Sequence, residues 1–96
     1  MNILEYISII NVDLEIMGYH HHGPDFFTAH LQYTDVEVGV GGLLGENGYG
    51  RTADEAINDY VKKIAGKRIH TEVDDKYLYL DVPHDLTGLP AKGDKG

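Results

Sequence analysis

Apolar and polar positions repeat along this chain with two different periods, and the changes from one to the other divide it into elements. Ile3, Leu4, Ile7 and Ile10 share one face of a helix that Asn2 can cap and Asn11 can leave in a left-handed conformation. Val12, Leu14 and Ile16 then alternate with Asp13 and Glu15, the period-two pattern of a half-buried strand. After a turn at Gly23-Pro24, Phe27, Ala29, Leu31 and Tyr33 alternate with Thr28, His30 and Gln32 as a second strand. Val36, Val38 and Val40 make a third with Glu37 and Gly39, and the chain runs into a glycine-rich loop over Gly41–Gly50. Thr52 and Glu55 form a T-x-x-E capping box that opens a second helix at Ala53. Its apolar stripe is Ala53, Ala56, Ile57, Tyr60, Val61, Ile64 and Ala65, and Gly66 is its stop. Arg68–Val73 and Tyr77–Val82 read as a hairpin about Asp74-Asp75-Lys76, closed by Pro83. The pattern predicts an α+β fold of order α-β-β-β-α-β-β, an antiparallel sheet with two helices packed on one face. Residues 1–83 are expected to form a single domain and residues 84–96 a flexible C-terminal tail.

Charge changes this picture more than composition does. The net charge is −8, and residues 1–50 hold Glu5, Asp13, Glu15, Asp25, Asp35, Glu37 and Glu46 without a single Lys or Arg. All 8 basic residues lie from Arg51 onward. Phosphate binding needs clustered cations that release counterions, so direct nucleic-acid binding is not expected. An acidic face suits a basic protein partner instead, and Asp13, Glu15, Glu37 and Glu46 are the candidate partner-binding residues. With no cysteine, neither a disulfide nor a thiolate metal site exists. The opening MNILEYISIINVDLEIM lacks a basic stretch and carries Glu5, Asp13 and Glu15 in its apolar run, so neither a signal peptide nor a membrane span is expected. A small domain of this kind could also self-associate as a homo-oligomer.

Three constellations invite chemistry. Gly45-Glu46-Asn47-Gly48-Tyr49-Gly50-Arg51-Thr52 approximates the phosphate-cradling G-x-x-x-x-G-K-T loop with Arg51 in the lysine position. A hydrolytic P-loop needs a parallel β-α-β crossover, the lysine and an acidic magnesium ligand, which an antiparallel meander does not supply. The glycine amides and Arg51 at a helix N-terminus remain able to hold an anion or nucleotide. Gly48, Tyr49, Gly50 and Arg51, with Lys67 or Arg68 of a neighbouring subunit, are the candidate ligand residues of that reading. His20-His21-His22 could contribute at most His20 and His22 to one ion, with His30 or Asp25 as a third ligand, and no functional metal or other cofactor is assigned. The one serine, Ser8, lies in the first helix, so no nucleophile signature exists and no catalytic residue is assigned. Tyr19, Phe26, Tyr33, Tyr49, Tyr60, Tyr77 and Tyr79 supply more aromatic surface than a small core requires, and any that face outward suit an interface.

The α-β-β-β-α order, with Gly23-Pro24 before the second strand and Gly48-Tyr49-Gly50-Arg51-Thr52 leading into the second helix, resembles the double-stranded RNA-binding domain. That family's lysine-rich opening of the second helix is replaced here by Thr52-Ala53-Asp54-Glu55-Ala56, so the resemblance extends to topology and not to RNA binding. The tract Gly50-Arg51-Thr52-Ala53-Asp54-Glu55-Ala56-Ile57-Asn58-Asp59-Tyr60, followed by Ile64-Ala65-Gly66-Lys67, is similar to a G-x-T-x-x-E-A-I-x-D-Y-x-x-x-I-x-G-K tract of small bacteriophage and prophage proteins of Gram-positive bacteria. This resemblance implies a non-enzymatic phage protein acting in the cytoplasm of a bacterial host. Its expected action is to inhibit a host defence protein by direct binding, in the style of anti-CRISPR proteins, with its acidic surface against a basic nucleic-acid channel. The alternatives are an oligomeric sponge for a nucleotide second messenger and a structural or regulatory phage protein without a ligand.

Overall fold

The computed structural model describes residues 1–20, 23 and 25–90. The elements follow in the order α1 (Ile3–Ile10), β1 (Leu14–Tyr19), β2 (Phe26–Leu31), β3 (Thr34–Val38), β4 (Gly42–Leu44), β5 (Gly48–Gly50), α2 (Ala53–Ile64), β6 (Arg68–Val73) and β7 (Lys76–Asp81). The fold is α+β with antiparallel sheets, as the periodicity predicts. Two features differ from the expected order. The glycine-rich loop contains the short strands β4 and β5, and the strands divide between a three-stranded sheet, β1-β2-β5, and a four-stranded sheet, β4-β3-β6-β7.

The chain crosses between the sheets at Gln32-Tyr33, where β2 ends in one sheet and β3 begins in the other. Gly39 and Gly41, at φ 61° and 77°, then turn β3 back into β4 so that Val38 faces Gly42. Cross-strand rows assign the faces. Leu14 opposite Leu31, and Ile16 opposite Ala29 and Gly48, look toward α2, while Glu15, His30, Met17, Thr28 and Tyr49 look away. In the other sheet Val36, Ile69 and Leu80 share the inner face, and Asp35, His70 and Tyr79 the outer.

α2 presents Ala56, Ile57, Tyr60, Val61 and Ile64 to a core completed by Ile3, Tyr6, Val12, Ala29, Leu31, Val36, Ile69, Val82 and Leu86. Each fully buried Val, Leu or Ile side chain of this set contributes about 1.5–3 kcal/mol. The one polar side chain in the deepest layer, Thr71, is satisfied by the Thr34 hydroxyl at 2.7 Å. Both helix starts are capped through side chains. Asn2 and Glu5 form a reciprocal box at 2.9 and 3.0 Å, and Thr52 accepts from the Glu55 amide at 3.1 Å. The buried face of α1 is built on Ile3 and Tyr6, with Leu4 exposed, because position 6 and not position 4 falls in line with Ile3, Ile7 and Ile10.

The domain boundary after residue 83 is corrected by the structure. Leu86 is buried, the Ile3 amide donates to the Thr87 carbonyl at 2.9 Å, and the Thr87 amide donates to the Met1 carbonyl at 3.0 Å. The Leu89 amide donates to Asn58 Oδ1 at 3.0 Å. Residues 84–90 therefore belong to the packed domain, and residues 91–96 lie outside the described residues.

Candidate functional site

The glycine tract that resembles a phosphate loop is spent on packing. Strand β5 runs directly against α2, and a Cβ on Gly48 would meet the Ala56 carbonyl oxygen, the Tyr60 amide and Tyr60 Cβ. A Cβ on Gly50 would meet the Glu55 side chain and lie 2.6 Å from the Ala56 amide. These glycines let strand and helix backbones approach more closely than any side chain permits. Two amides of the tract are also occupied. The Tyr49 amide donates to Asp59 Oδ2 at 2.9 Å, and the Arg51 amide donates to Glu55 Oε1 at 2.9 Å. Glu55 thus reaches one residue further back than the capping box predicts, to Arg51 rather than Thr52.

Asp59 and Lys63 pair with each other beside the Tyr49 amide. The Tyr49 N–H, with help from Lys63, holds the Asp59 carboxyl below its ordinary value against a smaller opposing effect of burial. Lys63 Nζ lies 3.0 Å from Asp59, donates to the Asn47 carbonyl at 2.9 Å, and sits 4.8 Å from the centre of the Tyr49 ring. Behind them, burial pushes the Tyr60 phenol up to about 12, reinforced by the charges of Glu46 and Asp35. An anion at Gly48–Arg51 would have to displace two carboxylates from the amides it needs. Lys67 and Arg68 lie at the far end of α2, with Arg68 over the Tyr79 ring at 5.3 Å on the outer face of the four-stranded sheet.

A second region has the opposite character. A concavity of about 360 Å³ is lined by Asn11, Val12, Asp13, Gln32, Tyr33, Glu72, Asp74 and Asp75. Three connections build it: the exit from α1, the crossover from β2 to β3, and the β6–β7 turn. Four acidic residues, Asp13, Glu72, Asp74 and Asp75, line it, with no Lys or Arg among the lining residues. The same wall holds every non-glycine residue with positive φ among the described residues: Asn11 at 59°, Tyr33 at 54°, Asp74 at 51° and Asp75 at 63°. Asn and Asp adopt this conformation readily, and consecutive left-handed residues are what a two-residue hairpin turn needs. Tyr33 does not adopt it readily. It sits in the left-handed region at roughly 1 kcal/mol of backbone cost, and the residue is 68% exposed and outside the core, so core packing does not offset that cost. Acidic residues gathered around a recess without a cation in its lining focus negative potential outward.

The four acidic residues expected to form one face are distributed over the molecule. Asp13 lines the concavity. Glu15 lies on the outer face of the three-stranded sheet, where it binds His30 Nε2 at 3.0 Å and Gln32 at 3.4 Å. Glu37 lies on β3 of the other sheet, and Glu46 lies in the β4–β5 connection. The lining residues that the sequence did not single out for a partner are Glu72, Asp74 and Asp75, whereas Tyr33 stood among the aromatics suited to an interface. The signal of Asp74 and Asp75 was present as an Asp-Asp turn, but it read as hairpin chemistry alone.

His20 pairs with Asp25 at 3.1 Å on the surface, while His21, His22 and Pro24 lie outside the described residues. Among the described residues no group of His, Asp and Glu side chains is placed to hold a metal ion. No described helix is long and apolar enough to cross a membrane. No protein-family model, curated protein or solved structure matches the chain.

Proposed function

We propose that this protein is a non-enzymatic binding protein that inhibits a bacterial host defence factor by docking its acidic concavity on a basic surface of that factor. The observation that carries this reading is the wall of Asp13, Glu72, Asp74 and Asp75 around a recess of about 360 Å³ with no cation in its lining. A lysine or arginine side chain entering it exchanges water for several carboxylates, and a guanidinium can take two of them at once. The phage setting rests on the resemblance of the tract from Gly50 to Lys67. The nucleotide-sponge reading has weaker support, because the amides it would use are engaged by Glu55 and Asp59.

The test is affinity capture from a bacterial host lysate with quantitative mass spectrometry. The wild type is compared with a variant carrying Asp13→Asn, Glu72→Gln, Asp74→Asn and Asp75→Asn, which keeps turn-compatible side chains while removing charge. The expected result is a defence protein with a basic surface, released by moderate salt and reduced at least about tenfold on the neutralised variant, as an interaction built on several screened charge pairs requires. Equal retention by both would refute the reading. A variant with Glu37→Gln and Glu46→Gln is expected to retain the partner.

A further inference from the structure

Among the described residues three exposed tyrosines stand on strands, Tyr49 on β5 and Tyr77 and Tyr79 on β7, at 53%, 65% and 50% exposure. Each has an acidic neighbour, and two of the three pairs hold a cation of the chain itself. Lys63 Nζ lies 4.8 Å from the centre of the Tyr49 ring and 3.0 Å from Asp59. The Arg68 guanidinium lies 5.3 Å from the centre of the Tyr79 ring, with Arg68 Nε 3.9 Å from Asp81. Tyr77 is the third. The residue directly opposite it on β6 is Glu72, so the two side chains leave the sheet side by side on its outer face. Among the described residues no Lys or Arg lies over the Tyr77 ring, and none pairs with Glu72. Lys76, the nearest cation in sequence, is one residue from Tyr77 on the same strand and so on the opposite face.

His70 lies parallel to the Tyr77 ring, with the centres 5.0 Å apart and the planes at 4°, and so holds one side of it. A cation over the other side is attracted by the ring quadrupole, and a carboxylate beside the ring adds a charge-assisted hydrogen bond. A guanidinium makes both contacts at once, because it is flat enough to stack and carries several N–H groups in one plane. An ammonium is a compact, strongly hydrated point charge and stacks less well. Glu72 also lines the acidic recess with Asp13, Asp74 and Asp75, so a group bound beside Tyr77 adjoins that recess. Granted that the recess docks a basic protein, we infer that Tyr77 and Glu72 form a subsite for one arginine side chain of that partner, stacked on the open side of the Tyr77 ring and paired with the Glu72 carboxylate. One exposed contact of this kind changes affinity only about two- to fivefold. Free arginine is therefore not its ligand, and the guanidinium belongs to a surface that engages the recess at the same time.

The test compares two short capped peptides of equal charge, one carrying arginines and the other lysines, by amide-resolved NMR titration of the labelled protein at low ionic strength. The wild type is expected to bind the arginine peptide about two- to fivefold more tightly, with the Glu72 and Tyr77 amides shifting most in that titration. Tyr77→Phe keeps the ring and is expected to keep the preference. Tyr77→Leu, at an exposed site where folding can be confirmed by circular dichroism, is expected to abolish it, and Glu72→Gln to narrow it. Equal affinity of the wild type for both peptides, with shifts at Asn11 and Asp13, would overturn the arginine subsite and leave the recess standing. Arginine-selective shifts at Glu72 and Tyr77 without shifts at Asn11 and Asp13 would support the subsite and count against the recess. A preference that survives Tyr77→Leu would overturn the subsite, and the absence of shifts at both places would overturn both.

Discussion

The Gly48–Arg51 segment and the Asp74-Asp75 concavity look alike in sequence, as short polar or glycine-rich connections, and differ in what folding leaves unspent. In the first, the backbone is largely committed: two amides are given to carboxylates of α2, and two glycines admit its backbone. In the second, four acidic residues line one recess without a cation in its lining, and a tyrosine stays in a conformation it disfavours. A motif describes local pattern. A site requires unsatisfied capacity after packing, and only the three-dimensional accounting reveals that.

The comparison can be broken most forcefully at Gly48. Gly48→Ala forces backbone atoms of β5 and α2 apart and is expected to cost at least about 3 kcal/mol in chemical denaturation, with Gly45→Ala, whose Cβ meets only Asp35 Oδ1 at 3.6 Å, within about 0.5 kcal/mol of wild type. A tolerated Gly48→Ala would return the glycine to a ligand role. Tyr33 sharpens the other side of the comparison. Tyr33→Gly relieves the left-handed strain at the cost of a freer unfolded chain, and is expected to leave stability unchanged or raise it by up to about 1 kcal/mol. Partner capture is expected to fall at the same time, the pattern of a residue kept for binding rather than for the fold. Loss of stability in Tyr33→Gly would show that the ring is structural.

The smallest effect is a pH dependence. Asp59 has its folded-state carboxyl held below its ordinary value of 3.8, so its stabilising contribution is full above that value and is lost as pH falls through the lower folded-state value. Asp59→Asn is expected to lower Tm by a few degrees at neutral pH, with the gap to wild type closing below about pH 4. A gap that persists unchanged at lower pH would mean that charge on Asp59 does not hold the Tyr49 amide.

Much of the fold is legible because local signals agree with the final packing. The Asn2 and Thr52 caps, the α2 stripe and the Gly66 stop each depend on residues within one or two helical turns. Leu78 and Leu80 against Tyr77 and Tyr79 give the faces of β7 from alternation alone. The division into two sheets was not legible, because it depends on the crossover at Gln32-Tyr33, where alternation continues through Tyr33 while pairing partners change. β4 and β5 were hidden because glycine carries no periodicity. The concavity was hidden for a third reason: Asp13, Tyr33 and Asp75 are joined only by long-range pairing, so no window of sequence contains them together.

The contrast between the two regions is tested most directly by one amide-resolved NMR titration of the isotopically labelled protein, with a short lysine-rich peptide and, in parallel, with inorganic phosphate. The expected result is that the peptide shifts the amides of Asn11–Asp13, Gln32–Tyr33 and Glu72–Asp75, and that phosphate leaves Tyr49 and Arg51 unmoved. Peptide shifts spread over all exposed carboxylates, or phosphate shifts gathered at Gly48–Arg51, would contradict the account.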